Sequence, residues 1–131
     1  MAEFNCRDFE KTVFTYLLRH QSILDLLAKC QESSARTNRA ITKAVTNCGC
    51  LKIKAEKQPI PPEANLSDLK KFFSSHLDGE LCDICREIIV DELGKNLFYI
   101  TALCNTLGIS LQEIIEAEHR KIKTLGKFNL T

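Results

Sequence analysis

At 131 residues, with 44% hydrophobic and 27% charged positions, the chain is long enough for one globular domain with its own core. Eighteen Lys and Arg against 17 Asp and Glu leave a net charge of +1, which excludes bulk charge as a means of holding nucleic acid or an anionic membrane. No stretch reaches the roughly 18 uninterrupted apolar residues of a membrane span, and Met1 to Glu10 has three acids and no apolar signal core, so a cytoplasmic protein without a membrane partner is expected.

Phe9, Val13, Tyr16, Leu17 and His20 recur at three and four, which predicts an amphipathic helix from Asp8 to Arg19. A second helix can open at Ser22, whose hydroxyl suits the free backbone donors, with Asp25 favourably placed near the positive helix end. Its stripe runs through Ile23, Leu26, Leu27, Cys30, Ser34, Asn38, Ile41 and Val45 and should stop at Asn47 or Gly49. The middle of that stripe is polar: Ser34, Thr37 and Asn38 stand where a core helix would carry Leu. The pattern implies a solvated cleft, a hydrogen-bonded network or a helix end reaching solvent.

Leu51 to Ala55 alternates like a strand but finds no evident partner, so it reads as an extended connection. Residues 58–65, with Pro59, Pro61 and Pro62, form an extended internal linker. Ser67 then caps a short helix from Asp68 to His76. The strongest helix pattern follows from Glu80 to Thr106, on Leu81, Ile84, Cys85, Ile88, Ile89, Leu93, Leu97, Ile100, Leu103, Cys104 and Leu107, and ends at Gly108. Ser110-Leu111-Gln112-Glu113 is a capping box that opens a last helix to about Thr124, and the tail from Gly126 is left open. The expected fold is all-α, one domain over 1–131, with four to five helices and two long antiparallel helices joined by the Pro-rich connection.

Charge is unevenly spread: residues 29–57 are mainly basic, and residues 78–92 are mainly acidic. Two helices of opposite charge attract when packed side by side, a simpler account than a nucleic-acid groove. With no Trp and seven scattered Phe, the chain also offers no stacking platform, so nucleic acid is not an expected partner.

Of the seven cysteines, four stand in two tight pairs, Cys48-Gly49-Cys50 and Cys82-Asp83-Ile84-Cys85. A C-x-C turn and a C-x-x-C turn can each present two thiolates to one face of a tetrahedral Zn²⁺, a structural site; four thiolates also suit an iron–sulfur cluster, and spacing does not choose. Reduced packing residues and a redox disulfide are the other readings. Cys82 and Cys85 lie at a helix start, where the dipole favours the thiolate. Cys6, Cys30 and Cys104 are isolated on apolar stripes and read as core fillers. His76 is six residues from Cys82 and reads as a surface residue, with replacement of one thiolate as the alternative.

The run Asp91-Glu92-Leu93-Gly94-Lys95-Asn96-Leu97-Phe98-Tyr99-Ile100, continuing to Leu107-Gly108-Ile109-Ser110-Leu111, resembles the second motif helix of the MazG-like all-α nucleotide pyrophosphohydrolases. Gln31-Glu32-Ser33-Ser34-Ala35-Arg36-Thr37-Asn38-Arg39-Ala40-Ile41 is similar to their partner helix. The resemblance implies Mg²⁺-binding acids, of which Glu32 and Glu92 remain; Ser33, Arg36 and Lys95 stand at other acid positions. Mg²⁺ wants carboxylate oxygens, and two unit charges ~4 Å apart interact by about 4 kcal/mol at an effective dielectric of ~20, so cations at these places oppose the ion. The expectation is a non-catalytic binding or regulatory module, with Arg36, Arg39, Lys95 and Asn96 as candidates to hold a nucleotide or phosphate. The alternative is a Mg²⁺-dependent nucleoside triphosphate pyrophosphohydrolase working through Glu32 and Glu92. Family analogy also implies a homo-oligomer. In an antiparallel pair pinned at the cysteines, Glu32 and Glu92 should be offset by ~9 to 13 Å, so a shared metal and an aligned carboxylate cleft compete.

Overall fold

The structure, a computed structural model, describes residues 3–126 and is mostly helical. Five helices are present among these residues: α1 (Cys6–Tyr16), α2 (Ile23–Lys43), α3 (Leu69–Phe72), α4 (Asp83–Leu107) and α5 (Leu111–Leu125). A two-stranded antiparallel sheet, β1 (Leu51–Ile53) with β2 (Leu77–Gly79), corrects the all-α expectation. The alternating residues after Leu51 do find a partner, and it follows directly after the short helix.

α2 and α4 form an antiparallel hairpin. Cys48 faces Cys82 at one end, Arg36 reaches Glu92 further along, and Asn96 binds Ser33 beyond that, so rising numbers on one helix meet falling numbers on the other. Two apolar clusters hold the pair. Val13 of α1, Leu26 and Ala102 are fully buried with Phe9, Leu17, Phe98, Tyr99 and Leu103 around them. At the cysteine end Ala44, Leu51 and Ile89 are buried beneath Ala40, Val45, Cys50, Leu81 and Cys85.

Between the clusters the seam is polar: of the predicted strip Thr37 is buried, Ser34 and Asn38 are exposed, and Ser33 takes the remaining inward position. Of the three readings of this strip, the hydrogen-bonded network is the one present. Ser33 Oγ donates to Cys30 O (3.1 Å), Thr37 Oγ1 to Ser33 O (3.1 Å), and Asn96 Nδ2 crosses from α4 to Ser33 Oγ (2.9 Å) and Cys30 O (3.3 Å). The buried hydroxyls of Ser33 and Thr37 thus gain the partners that burial demands.

Helix ends explain most boundary differences. α1 opens two residues before the expected Asp8 because Asn5 caps it, its Oδ1 accepting Asp8 N–H at 3.0 Å. Ser22 precedes α2 without a side-chain cap, and Asp25 instead takes the His20 ring at 2.6 Å. α3 is cut to one turn because Gln58 holds Ser74 by both backbone groups, at 2.8 and 3.0 Å, which leaves Phe73 extended and excludes helix there. Ser110 caps α5 by accepting Glu113 N–H (3.4 Å), as the capping box predicts. Glu10 of α1 adds a second cap, its Oε1 accepting Leu111 N–H at 2.7 Å and Gln112 N–H at 3.3 Å. The chain bends by 102° between α4 and α5, where Gly108 adopts φ 73°. No single helix among the described residues is long and apolar enough to cross a membrane.

Candidate metal centre

Four local devices bring the cysteines together. The last turn of α2 widens to π-helical form over Ala44–Cys48, closed by Gly49 N–H donating to Ala44 O at 2.9 Å, with Gly49 left-handed at φ 79°. This turn lifts Cys48 off the line of α2 and reverses the chain for Cys50. The ladder then pairs Leu51 with Gly79, Lys52 with Asp78 and Ile53 with Leu77, setting Cys50 beside the segment that leads into Cys82. Gly79 makes this approach possible: at φ 82°, a Cβ there would stand 2.4 Å from Cys50 O. Finally, Cys82 is the N-cap of α4, its Sγ accepting Cys85 N–H at 3.4 Å, which places Cys85 one turn in on the same side.

The result is a cluster in which the four Sγ atoms of Cys48, Cys50, Cys82 and Cys85 all lie within 4.8 Å of one another, with Cys48 and Cys82 3.7 Å apart. All seven cysteines are free thiols. Thiolates at about 2.3 Å from one tetrahedral ion stand roughly 3.8 Å apart, so the four sulfurs need to close by no more than about 1 Å to share it. The four cysteines are thus compatible with a metal site such as Zn²⁺. No histidine joins the group among the described residues; His76 lies on the sheet edge with φ 58°, its backbone carbonyl accepting Lys54 N–H at 2.8 Å. Without metal, the thiols share protons unevenly. The Cys85 backbone N–H beside the Cys82 sulfur, at the head of α4, lowers the Cys82 thiol to about 7. The neighbouring Cys82 sulfur raises Cys85 to about 12.

Glu32, Arg36, Glu92 and Lys95 lie on the other half of the hairpin. Arg36 is ion-paired to Glu32 on its own helix (3.5 Å) and to Glu92 across the pair (4.0 Å), and Lys95 Nζ stands 3.2 Å from Asp91 and 3.9 Å from Glu92. Both cations therefore converge, but on a carboxylate. Twelve residues separate Arg36 from Cys48 and ten separate Cys82 from Glu92, about 18 and 15 Å of helix, so Arg36 rather than Glu32 comes opposite Glu92 once the cysteine end is closed. Glu32 lies one turn beyond Arg36, and Arg36 bridges the two carboxylates.

A cleft of about 230 Å³ lies here, lined by Lys29, Glu32, Ser33, Arg36, Lys95 and Tyr99. Lys29 binds Glu32 at 3.0 Å and holds its carboxyl below the ordinary range. Asn96, a predicted ligand-binding residue, is engaged across the seam, and Arg39 is exposed and outside the cleft lining. Of the isolated cysteines, Cys104 is buried, whereas Cys6 and Cys30 are half-buried. The sequence reading missed the Glu10 cap, because a contact between residues a hundred positions apart leaves no local pattern.

No family model, curated protein or solved structure matches this chain.

Proposed function

We propose that the chain is a non-catalytic, MazG-like helical module for binding or regulation, in which one structural Zn²⁺ held by Cys48, Cys50, Cys82 and Cys85 pins the α2–α4 hairpin. The observation that carries the zinc reading is the mutual approach of the four sulfurs within 4.8 Å from two segments far apart in sequence. Four protein thiolates leave no open position for water or substrate, the mark of a structural rather than a catalytic zinc. Such close sulfurs favour one ion over a multi-iron cluster, which must spread its thiolates around several metals. Zinc would supply charge and directed bonds that fix the C-terminal end of α2 against the head of α4.

The non-catalytic reading rests on Arg36 and Lys95. Their charged heads lie against Glu92, whose side chain is only 13% exposed, where a Mg²⁺ would need that carboxylate free. The cleft is also smaller than the roughly 300 Å³ at which small-molecule sites begin, which favours a phosphate-sized ligand over a whole nucleotide. One observation favours the alternative of a Mg²⁺-dependent pyrophosphohydrolase: the second oxygen of Glu92, Oε2, is buried with no hydrogen-bond partner in the protein.

Two assays test the reading. Co²⁺ titrated into the chelator-treated protein should give thiolate-to-cobalt absorption and a tetrahedral ligand-field band that saturate at one ion per chain and are displaced by Zn²⁺; their absence would overturn the metal reading. A panel of nucleoside triphosphates with Mg²⁺ or Mn²⁺ should release no pyrophosphate, and turnover that Glu92→Ala abolishes would overturn the non-catalytic one.

A further inference from the structure

We propose that Cys48 is a site of modification by peroxide: hydrogen peroxide joins Cys48 to Cys82 as a disulfide, which expels the zinc and leaves the α2–α4 hairpin closed. The release of metal rests on the zinc reading above, whereas the choice of bond rests on the sulfur geometry alone.

The four sulfurs divide into an inner and an outer pair. Cys50 and Cys85 pack against the apolar cluster of Ala44, Leu51 and Ile89, and Cys50 Sγ is turned to Ala44 O at 3.8 Å. Cys48 and Cys82 stand outside that cluster, and Cys48 is the one exposed thiol among the seven cysteines. Oxidation selects a sulfur that is both thiolate and accessible. Zinc ligation holds all four sulfurs deprotonated, so exposure makes the choice, and it falls on Cys48.

The nearest support for a second step is Cys82. Cys48 ends the π-helical turn and Cys82 is the N-cap of α4, so neither is held on both sides by helix hydrogen bonds. Their sulfurs are 3.7 Å apart and need to close by about 1.7 Å to reach the ~2.05 Å of a disulfide. The competing pairs are worse placed. A Cys48–Cys50 bond would have to turn Cys50 Sγ away from Ala44 O across the left-handed Gly49, and a Cys82–Cys85 bond would have to draw Cys85 out of the apolar cluster.

The Cys48 thiolate attacks one peroxide oxygen, the O–O bond breaks, hydroxide leaves and Cys48 becomes a sulfenic acid. The Cys82 thiolate then attacks the Cys48 sulfur, forms the S–S bond and expels a second hydroxide. Two electrons pass from the two sulfurs to the peroxide. Four protons complete the balance: two turn the hydroxides into water and two protonate Cys50 and Cys85, which are too few to keep a structural zinc. The new bond spans 34 positions and joins the end of α2 to the head of α4, the same two ends that the metal joins. A bond inside either motif would link only near neighbours and free the hairpin end, so the Cys48–Cys82 bond alone replaces the metal pin with a covalent one.

The test treats the zinc-loaded full chain with stoichiometric hydrogen peroxide beside a chromophoric zinc chelator, followed by alkylation and tandem mass spectrometry that assigns each sulfur. One zinc should be released per disulfide formed, the bond should map to Cys48 and Cys82, Cys50 and Cys85 should be alkylated, and helical circular dichroism should persist. In the metal-free chain, Cys48→Ser should slow disulfide formation at least tenfold, while Cys85→Ser should form the same bond within twofold of the wild-type rate. Thiols untouched by peroxide, a Cys48–Cys50 or Cys82–Cys85 bond, zinc retained after the disulfide forms, or a Cys48→Ser chain oxidised as fast as wild type would overturn the proposal. A starting protein that carries no zinc refutes the metal reading alone, and the bond mapped in that protein still decides between Cys48–Cys82 and its competitors.

Discussion

Gly79→Ala should injure the metal centre although Gly79 carries no ligand. Its new Cβ would stand 2.4 Å from the backbone oxygen of Cys50, and must retreat by about 0.6 Å to reach even the 3.0 Å that side chains essentially never pass. The atom in its way is backbone, so the β1–β2 pairing at Leu51 and Gly79 yields or Cys50 moves. Metal–ligand distances tolerate only about 0.2 Å, so a shift of this size at Cys50 weakens its bond to a shared ion. The φ of 82° adds about 1 kcal/mol for a residue with a Cβ. Gly49→Ala is the control: it lies in the same loop system at φ 79°, but nothing stands within 4 Å of its new Cβ, so it bears the conformational cost alone. Competition against a chromophoric zinc chelator should show at least tenfold weaker binding for Gly79→Ala than for Gly49→Ala. Thermal unfolding of the loaded proteins should place Gly79→Ala lower by about 2 kcal/mol, roughly 6 to 8 °C for a chain of this size. Equal affinity and equal melting of the two variants would refute the argument that the ladder positions Cys50.

Glu10→Ala should leave the hairpin intact and loosen α5, because it removes the carboxylate that accepts Leu111 and Gln112 N–H; hydrogen exchange should lose protection of about 1 to 2 kcal/mol at the first turn of α5. Asn96→Ala removes the bonds from α4 to Ser33 Oγ and Cys30 O and should cost about 1 to 3 kcal/mol in denaturant unfolding, with no loss of zinc affinity. The Glu32 carboxyl is held low by Lys29, so its stabilising effect is present above the ordinary carboxylate pKa and is lost as pH falls through the lowered one. Lys29→Ala should move the Glu32 midpoint back up in a carboxyl-detected NMR titration, and an unmoved midpoint would exclude Lys29 as its cause.

α1, α2 and α4 were legible because each turns a stripe at helical period inward, and α5 because Gly108 and Ser110 give it a physical reason to begin where it does. The cysteine quartet was legible from spacing alone, since two paired motifs sufficed to suggest a shared ion. The sheet was not: Leu77–Gly79 is three residues long with every residue exposed, and so lacks the alternation that marks a half-buried strand. The polar seam was recognised at Thr37, but Ser33 rather than Ser34 faces α4, a choice made by the cross-helix bond to Asn96. Closing the cysteine end puts Arg36, not Glu32, opposite Glu92, and the residue count from the cysteines already pointed to a misalignment of the two acids.

Zinc pinning of the α2–α4 hairpin is tested most directly by mass spectrometry of the protein purified without chelator, under native and then denaturing conditions, with Cys82→Ser beside it. The account predicts one zinc per chain in the native spectrum, lost on denaturation, and no zinc in Cys82→Ser. A metal-free native chain with four readily alkylated thiols at Cys48, Cys50, Cys82 and Cys85 would contradict it.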